Sequence, residues 1–492
     1  MNSQNSGTSP AAGWRLEHSY AGLPGLFHSA IAPTPVRAPR LVIFNRSLAE
    51  SLGLRVQHLQ GDAGALCFSG NQLPAGAAPL AQAYAGHQYG HFTALGDGRA
   101  ILLGEQITPR GERFDVQFKG SGPTPYSRRG DGRAALGPML REYIISEAMA
   151  GLGIPTTRSL AVTATGEDVF RPEPLPGAVL TRVAASHIRV GTFEWAAAAG
   201  DASATSTLVD YTLSRHYPEL AGAENRSLAL LEAVIERQAV LLAQWMTVGF
   251  VHGVMNTDNM ALSGETIDYG PCAFVDTFHP ATVFSSIDRH GRYSYGNQPG
   301  IAQWNLTRLA EALLKTLHPE QTKAIDLAEG ALDHFEDRYQ FHWLAGMRRK
   351  LGLFQGEPED AALAKDLLDW MQNAKADFTN TFLALDPAAP TAGEGAAGER
   401  FAEWHLRWVE RLGRQEQCAA ESGELRRACN PLVIPRNHRV EAALFAAQQG
   451  DTRPMERLLE AVATPFDRTR NVAEFCSPAP AGEAPYRTFC GT

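Results

Sequence analysis

The sequence predicts an α+β protein with two lobes, a small β-rich N-terminal lobe and a larger helical C-terminal lobe. Between residues 92 and 119, short strand-like runs alternate with turns, which is typical of an antiparallel sheet. From about residue 186 onward, long segments have the apolar spacing of amphipathic helices. A sheet-rich lobe followed by a helical lobe is typical of enzymes that bind a nucleotide in the cleft between the lobes.

Strands and one helix are predicted for the N-terminal half. Residues 14–80 mix short apolar runs with Pro and Gly, and we expect a packing extension there. The Asp97-Gly98 pair predicts a hairpin between two of the strands, and a second turn is predicted at 109–111. In chain order, the predicted elements are strands 92–95, 99–105 and 114–119, a helix over 136–150, and strands 159–163 and 178–182.

Helices dominate the C-terminal half. The main predicted helices cover 228–248, 301–317, 360–373, 401–414, 440–449 and 455–462. Residues 386–398 are rich in Ala, Pro, Thr and Gly, which predicts a flexible connection. We therefore divide the chain into an N-terminal extension (1–80), a β-rich lobe (81–185), a helical lobe (186–385) and a C-terminal helical extension with a Cys-containing tail (386–492).

Composition and charge exclude several classes of function. The 492 residues are 44% hydrophobic and 20% charged, and a formal net charge of −9 argues against a nucleic-acid partner. A membrane-spanning helix needs about 20 consecutive apolar residues. The best candidate, 228–250, is interrupted by Glu232, Glu236 and Arg237, so we expect no membrane partner. Residues 1–13 lack the pattern of an export signal, and we expect a cytoplasmic protein.

The clearest chemical motif is the segment 252–260, HGVMNTDNM, which is followed by TIDYG at 266–270. Its spacing matches a kinase-type catalytic loop, in which a metal-binding Asn precedes a short hairpin and a metal-binding Asp. Asn259 and Asp268 occupy those two positions, and their oxygen atoms are the hard ligands that Mg²⁺ prefers. The alternative is a simple turn at Asn259 and a surface charge at Asp268, which leaves the rest of the motif unexplained.

One position departs from the kinase pattern. Val254 stands where a phosphotransferase has the Asp that accepts the proton of the substrate hydroxyl, and a valine cannot accept a proton. Either the chain is a nucleotide-binding pseudokinase or it performs different chemistry with another base. The nearest spare carboxylate is Asp258.

The β-rich lobe supplies matching parts. The run VQFK at 116–119 resembles the kinase strand whose lysine binds nucleotide phosphates. Lys119 should pair with a carboxylate on the following helix, where Glu142 and Glu147 are candidates. Five residues correspond to about 140° around a helix, so only one of them can face the cleft, and we prefer Glu142. The alternative for Lys119 is an ordinary surface lysine.

Glycines and arginines near the predicted cleft suggest an anion site. The turn GDGR at 96–99 could bring backbone N–H groups close to a phosphate, although such a turn is also common in plain hairpins. The Asp131-Gly132 turn is ambiguous in the same way. In a chain of net charge −9, a local concentration of positive charge indicates anion binding. The arginines concerned are Arg128, Arg129, Arg133, Arg182 and Arg189.

On these motifs the chain resembles the selenoprotein O family, protein adenylyltransferases with a protein-kinase-like fold. The resemblance runs from about residue 14 to the C-terminus. The segments that carry it are YAGHQYGHF (84–92), LGDGR (95–99), QFKGSGPTPYSR (117–128), HGVMNTDN (252–259), DYGP (268–271) and YGNQP (295–299).

The resemblance implies a bilobal kinase-like fold and a reaction that differs from that of kinases. ATP is bound in a reversed orientation, and AMP passes to a Ser, Thr or Tyr hydroxyl of a protein while pyrophosphate leaves. It implies Mg²⁺ or Mn²⁺ as the metal, self-modification, UTP as a second donor, and protein partners that include redox-related proteins.

The resemblance also implies roles for single residues. Asp258 is the general base, Asn259 and Asp268 are the metal ligands, and Lys119, held by Glu142, contacts phosphate. Arg182 and Arg189 hold the terminal phosphate. The other residues implied to line the nucleotide site are Gly96, Gly98, Arg99, Asp131 and Gly132.

The six cysteines form no disulfide framework and no CxxC metal motif. The resemblance suggests a redox-sensitive disulfide between Cys272 and Cys490, which occupies the place of selenocysteine in many eukaryotic relatives. The alternatives are two reduced thiols, or Cys476 as the partner in the tail.

Two other functions compete with protein adenylyl transfer. A phosphotransferase resembling aminoglycoside kinases would need an Asp at position 254, where this chain has Val254. A catalytically silent nucleotide-binding scaffold would not need the metal-type pair of Asn259 and Asp268. Target proteins, the choice between ATP and UTP, and the oligomeric state are beyond what the motifs predict.

Overall fold

The computed structural model describes residues 12–388, 396–480 and 486–488. The strands of this described part are β1 (Leu16–Glu17), β2 (His28–Ala30), β3 (Arg40–Phe44), β4 (Leu80–Gln82), β5 (Ala85–Gln88), β6 (His91–Ala94), β7 (Ala100–Ile107), β8 (Arg113–Lys119), β9 (Ala134–Ala135), β10 (Arg158–Phe170), β11 (Pro174–Ala184), β12 (Phe250–Val251) and β13 (Ala273–Phe274).

The helices of the same residues are α1 (Arg46–Ser51), α2 (Gly61–Phe68), α3 (Leu136–Gly151), α4 (Val190–Ala199), α5 (Ala202–His216), α6 (Arg226–Val248), α7 (Gln298–Leu317), α8 (Gln321–Leu332), α9 (His334–Leu351), α10 (Asp360–Ala374), α11 (Phe378–Leu383), α12 (Ala396–Gly413), α13 (Ala419–Cys429), α14 (Asn437–Gln448), α15 (Arg453–Ala463) and α16 (Ala473–Cys476).

A nine-stranded antiparallel sheet forms the N-terminal lobe. Its strand order is β2-β4-β7-β8-β11-β10-β3, with β1 paired to β7 and β9 paired to β11. The predicted strands at 114–119, 159–163 and 178–182 are confirmed within β8, β10 and β11. The segment expected to be a packing extension contributes β1, β2 and β3 to this sheet, and α3 packs against β10 and β11.

The predicted hairpin at Asp97-Gly98 is wrong. Strand β6 pairs back with β5 in a separate two-stranded sheet, and β7 pairs with β8 instead. The turn at 96–98 passes between the two sheets because tertiary contacts hold it, including a 2.6 Å hydrogen bond from the Thr124 hydroxyl to the Asp97 carbonyl. The predicted turn at 109–111 is confirmed as the connection between β7 and β8.

Long helices form the C-terminal lobe, as predicted, so the fold is the bilobal, kinase-like α+β arrangement. Helix α6 begins after Asn225, whose side chain accepts a 3.1 Å hydrogen bond from the Leu228 N–H, and ends at Gly249 in the left-handed conformation (φ 74°). Helices α7 and α9 pack against α6, and one hydrophobic core continues from α3 into these helices. Within the described residues, no helix is long and apolar enough to cross a membrane.

The predicted connection at 386–398 lies partly outside the described residues, which omit 389–395. Its last residues are helical, because α12 begins at Ala396. The indole N–H of Trp370 donates a 2.8 Å hydrogen bond to the Ala397 carbonyl, which joins this helix end to α10.

Candidate active site

A cleft of about 710 Å³ lies between the β-rich lobe and the helical lobe. This volume is in the range of small-molecule binding sites. Eleven of the residues proposed for the site line it together: Gly96, Gly98, Arg99, Lys119, Asp131, Gly132, Arg182, Arg189, Asp258, Asn259 and Asp268. The structure therefore brings side chains from both halves of the chain to one place.

Lys119, at the end of β8, is paired with a carboxylate behind the cleft. Its Nζ lies 2.6 Å from Oε2 of Glu142, a buried residue of α3. Glu147 points elsewhere and binds Arg158 at 2.6 Å and the Asn45 amide at 2.7 Å. Lys119 therefore pairs with the preferred Glu142, and the two glutamates point to different sides of α3, as their spacing predicts.

Asp268 is the focus of three cations. Its Oδ1 lies 2.8 Å from Lys119 Nζ and 2.6 Å from Arg182 Nη1, and its Oδ2 lies 2.6 Å from Arg189 Nη1. Burial alone would raise the pKa of Asp268, but these three cations hold it well below its usual range. With Glu142 as the second carboxylate of the cluster, three positive charges face two negative ones, so the cleft favours an anion.

The backbone at Asp268 is unusual as well. Its φ of 61° lies in the left-handed region, which a residue other than glycine rarely occupies. Non-glycine residues in this region cluster at functional sites, where surrounding contacts hold them. Here the ion pairs to Lys119, Arg182 and Arg189 provide such contacts.

Both arginines are fixed by further contacts. Arg182 lies on β11 and donates a 2.6 Å hydrogen bond to the side-chain oxygen of Gln117. Arg189 precedes α4, and its guanidinium lies 4.7 Å from the ring centroid of Tyr84. It also donates a 2.7 Å hydrogen bond to the backbone carbonyl of Asp258. Both are buried and preorganised, which suits binding of a phosphate group.

Asp258 lies in a short 3-10 turn, Thr257–Asn259, and is only 8% exposed. Its Oδ1 is buried and has no hydrogen-bond partner among the described residues. Burial raises the pKa of Asp258 to about 6, although the Arg189 charge acts in the opposite direction. A carboxyl group with such a pKa can accept a proton at neutral pH and suits general-base catalysis.

The hairpin β5–β6 covers the loop that contains Asp258, and no role was predicted for the hairpin residues. The Gly86 backbone lies so close that a Cβ there would be 2.3 Å from Asp258 Oδ1. The His87 N–H donates to the Thr257 hydroxyl at 2.6 Å, and the Tyr89 N–H donates to Asn256 Oδ1 at 3.1 Å.

A buried carboxylate extends this contact. Glu194 of α4 accepts a 2.6 Å hydrogen bond from the Thr257 hydroxyl, and its other oxygen contacts His87 Nδ1. Asp97, which was predicted only as a turn residue, is a second buried carboxyl, and burial raises its pKa to about 6. Gly90, with a φ of 89°, is a local feature from which the β5–β6 hairpin could have been predicted. Nothing in the local sequence predicts that the hairpin lies over Asp258.

The glycines of the cleft allow close packing. A Cβ at Gly96 would lie 2.5 Å from the Tyr126 ring, and one at Gly132 would lie 2.1 Å from the Gly122 backbone. Asp131 is exposed and pairs with Arg171 at 3.0 Å. Of the other arginines considered, Arg128 and Arg133 line the cleft, and Arg129 does not.

The donor atoms suit a divalent cation bound together with a nucleotide. Asn259 uses its Nδ2 in a 2.9 Å hydrogen bond to the Val254 carbonyl, and no hydrogen bond of the described residues uses its Oδ1. The described part of the chain holds no group of three or more His, Cys, Asp or Glu residues that could bind a metal alone. One amide oxygen and the Asp268 carboxylate therefore fit Mg²⁺ only if phosphate and water oxygens complete its shell.

The tail reaches the loop after Asp268. The Thr488 hydroxyl donates a 3.1 Å hydrogen bond to the Pro271 carbonyl, next to the buried Cys272. Cys490 lies outside the described residues. Cys476, the alternative partner, is at the end of α16.

An interlobe cleft with a buried lysine–glutamate pair and clustered cations is typical of nucleotide-dependent transferases with a kinase-like fold. The family model described as "Protein adenylyltransferase SelO" matches residues 14–463. The chain belongs to this SelO family.

Curated relatives agree with the family over nearly the whole length. The chain is 61% identical to "Protein nucleotidyltransferase YdiU" of Halalkalibacterium halodurans, over 99% of this chain and 100% of the relative. It is 58% identical to the protein of the same name from Bacillus cytotoxicus, over 98% of each chain. It is 59% identical to that of Geobacillus kaustophilus, over 98% of this chain and 100% of the relative.

A solved structure of ROP2 from Toxoplasma gondii, described as a virulence factor with a protein-kinase fold and no enzymatic activity, also matches. The match covers 60% of this chain and 87% of the ROP2 chain, at 10% identity and a TM-score of 0.26. From its family, this chain is a protein nucleotidyltransferase, which uses a nucleotide substrate and typically a divalent metal. Membership of an enzyme family argues against a pseudokinase, which was one of the two explanations that Val254 left open.

Proposed function

We propose that the enzyme transfers AMP from ATP to a Ser, Thr or Tyr hydroxyl of a protein and releases pyrophosphate. The observation that carries this proposal is the combination of a buried base, Asp258, with three cations in one cleft, while Val254 occupies the kinase base position. A kinase places the γ-phosphorus next to its base. In this enzyme the three cations bind the terminal phosphates instead, so the α-phosphorus faces the acceptor hydroxyl.

The chemical step needs one proton acceptor and a stabilised leaving group. The acceptor oxygen forms a bond to the α-phosphorus, and the bond from the α-phosphorus to the bridging oxygen breaks, so that pyrophosphate leaves with the electron pair. Asp258 takes the hydroxyl proton. Its raised pKa and its buried Oδ1 support this role.

Lys119, Arg182 and Arg189 stabilise the charge that develops on the leaving pyrophosphate. In the structure all three share Asp268, so they are already oriented in the cleft. Preorganised donors of this kind need little rearrangement during the reaction. Electrostatic stabilisation by such donors is usually the largest single contribution to catalysis. Glu142 acts as a positioning residue by holding Lys119 at 2.6 Å.

Asn259 and Asp268 would hold Mg²⁺ or Mn²⁺, and the bound metal would neutralise charge on phosphate oxygens of the nucleotide. Asp268 is then shared between the metal and the three cations. Because Asn259 Oδ1 is not used by other described residues, its ligation requires no broken hydrogen bond.

The remaining nucleotide contacts follow the cleft lining: Gly96, Gly98, Arg99, Asp131 and Gly132. We also propose UTP as a second donor, because Lys119, Arg182 and Arg189 contact the triphosphate that both nucleotides share. Self-modification and redox-related target proteins belong to the same proposal.

The division of the chain at residues 80, 185 and 385 is likewise a proposal.

We further propose the redox-sensitive disulfide between Cys272 and Cys490. The contact of Thr488 with Pro271 supports it, because Thr488 is two residues from one cysteine and Pro271 is next to the other. A Cys490→Ser variant should lose the response of activity to oxidants. If that response persists, the pairing is wrong.

Incubation with a divalent metal and with α-labelled or γ-labelled ATP tests the proposed function. Label on protein from the α position only, with a mass gain equal to AMP, is expected. Label from the γ position only would make the protein a phosphotransferase, and nucleotide binding without any label would make it a scaffold. Asp258→Ala should abolish transfer and keep ATP binding.

A further inference from the structure

A second cavity lies outside the nucleotide cleft, between the tip of the β5–β6 hairpin and the start of α7. Its volume is about 640 Å³. Its lining includes Tyr89, Ile287, Asp288, Arg289, Arg292 and Ile301, and we call it the 287–301 groove. None of the roles proposed above uses these residues.

The lining of the groove carries a net positive charge, because two arginines face one carboxylate. Within the described residues, neither Arg289 nor Arg292 forms an ion pair with a carboxylate, whereas Arg171, Arg182 and Arg189 of the nucleotide cleft do. Asp288 is the acidic residue of the lining. Its two oxygens are occupied by backbone N–H groups of Arg292 at 2.9 Å and Tyr293 at 2.8 Å. A positive groove in a chain of net charge −9 favours an acidic ligand.

Arg292 is held in a fixed orientation. Its guanidinium lies 4.8 Å from the Trp304 ring centroid and 5.6 Å from that of Tyr293. A Cβ at Gly90 would lie 3.8 Å from Arg292 Nη2, so the hairpin tip packs against the same group. An arginine ordered in this way loses little conformational entropy when it binds a carboxylate.

The groove shares a wall with the active site. Tyr89 lines the groove, and its N–H donates to Asn256 Oδ1 at 3.1 Å. The Tyr293 hydroxyl donates to the same oxygen at 2.7 Å. Asn256 lines the nucleotide cleft and is two residues from Asp258, so the groove and the cleft adjoin at this asparagine.

Apolar surface accompanies the charge. Ile287 in the groove is 56% exposed, and Phe92 on the same hairpin as Tyr89 is 49% exposed. Large exposed apolar side chains next to cations suit a polypeptide with both acidic and apolar side chains better than a small inorganic anion.

We propose that the 287–301 groove binds an extended acidic segment of the protein substrate and thereby presents a nearby hydroxyl to Asp258. The inference deepens the proposed function, on which it rests, by assigning a chemical class to the substrate. Acidic side chains pair with Arg289 and Arg292, and an adjacent apolar side chain covers Ile287.

Binding of labelled peptides tests the proposal without any chemistry. Three fluorescent peptides of equal length contain Leu, one Ser and one Tyr, and differ only in carrying Glu, Gln or Lys at the remaining positions. Fluorescence anisotropy should show that the Glu peptide binds more tightly than the other two. Loss of two partly exposed charge pairs in the double variant Arg289→Gln/Arg292→Gln should weaken binding of the Glu peptide about tenfold.

Arg453→Gln is the matched control, because it removes an exposed arginine on α15 outside the groove. Arg289→Gln alone, at a fully surface position, should give a smaller loss of the same sign and guards against misfolding of the double variant. Equal affinity for the Glu and Lys peptides, or an unchanged affinity in both groove variants, would overturn the proposal. Inorganic phosphate that binds as tightly as the Glu peptide in calorimetry, with an affinity that the groove variants weaken, would show a small-anion site in the groove and would overturn the proposal too.

AMP transfer to the same peptides separates the two proposals. The groove variants should raise KM for the Glu peptide and leave kcat and ATP affinity unchanged. A wild-type enzyme that binds the Glu peptide selectively but transfers no AMP to any acceptor would contradict the proposed function and support the groove. A wild-type enzyme that transfers AMP with equal KM for the Glu and Lys peptides would contradict the groove alone.

Discussion

Substitution of Gly86 by alanine tests the geometry of the base with a single methyl group. Gly86 lies in β5, and an added Cβ would be 2.3 Å from Asp258 Oδ1 and 2.8 Å from its Cγ. Carbon and oxygen atoms in van der Waals contact are separated by about 3.5 Å, so the Asp258 carboxylate must move by about 1 Å. The backbone at Gly86 is outside the left-handed region, and the effect is therefore steric.

A displacement of this size should be costly for catalysis. Misplacement of a reacting group by about 1 Å can reduce a rate about 100-fold, which corresponds to ~2.7 kcal/mol of transition-state stabilisation. Complete loss of a general base costs about 10²–10⁴-fold, so Gly86→Ala should approach Asp258→Ala in kcat. Affinity for ATP should change little, because Gly86 does not line the cleft.

The assay is the initial rate of AMP transfer from α-labelled ATP, with ATP affinity measured by calorimetry. Gly25→Ala is the control, because its Cβ would have no heavy atom within 4 Å and its φ is not positive. Far-ultraviolet circular dichroism checks that both variants are folded. A kcat of Gly86→Ala within about threefold of wild type would refute the placement of Asp258 as the base beneath the hairpin.

Three further predictions concern the pH profile, the leaving group and stability. Because burial raises the pKa of Asp258 to about 6 and the ionised form is the base, kcat/KM should be half-maximal near pH 6, fall below it and reach a plateau about one pH unit above it; a midpoint near pH 4 would contradict this. Lys119→Met should lower kcat about 10²–10³-fold in the AMP-transfer assay, because one preorganised donor to the leaving pyrophosphate is lost; an unchanged kcat would exclude that role. Asp360→Ala should lower the free energy of unfolding by about 1.5–3 kcal/mol in denaturant unfolding, because the buried Arg411 loses its 2.7 Å partner and keeps Glu357, at 3.1 Å, as its ion-pair partner; a change below about 1 kcal/mol would contradict it.

The spacing of apolar residues was sufficient to predict the long helices. Helices α3 and α6 begin and end within two residues of the expected bounds, because their apolar spacing and terminal glycines are local signals. The prediction of a hairpin at Asp97-Gly98 was wrong, because contacts from the 120–132 loop hold that turn between two sheets. Strands of two or three residues, such as β1 and β2, carry too little pattern to be predicted.

The site was predictable in its members and only partly in its arrangement. Helix geometry limited the partner of Lys119 to one of Glu142 and Glu147, and motif spacing supplied Asn259 and Asp268. The convergence of Arg182 and Arg189 on Asp268 depends on how β11 and α4 pack, which no local pattern encodes. The same holds for the hairpin over Asp258 and for the 287–301 groove.

A crystal structure with a metal ion and a non-hydrolysable ATP analogue that has a methylene bridge between the α- and β-phosphorus distinguishes adenylyl transfer from phosphoryl transfer. For adenylyl transfer we expect the α-phosphorus to lie nearest the Asp258 carboxylate, with the terminal phosphates against Lys119, Arg182 and Arg189. An analogue bound with its γ-phosphorus nearest Asp258 would contradict adenylyl transfer and indicate a kinase.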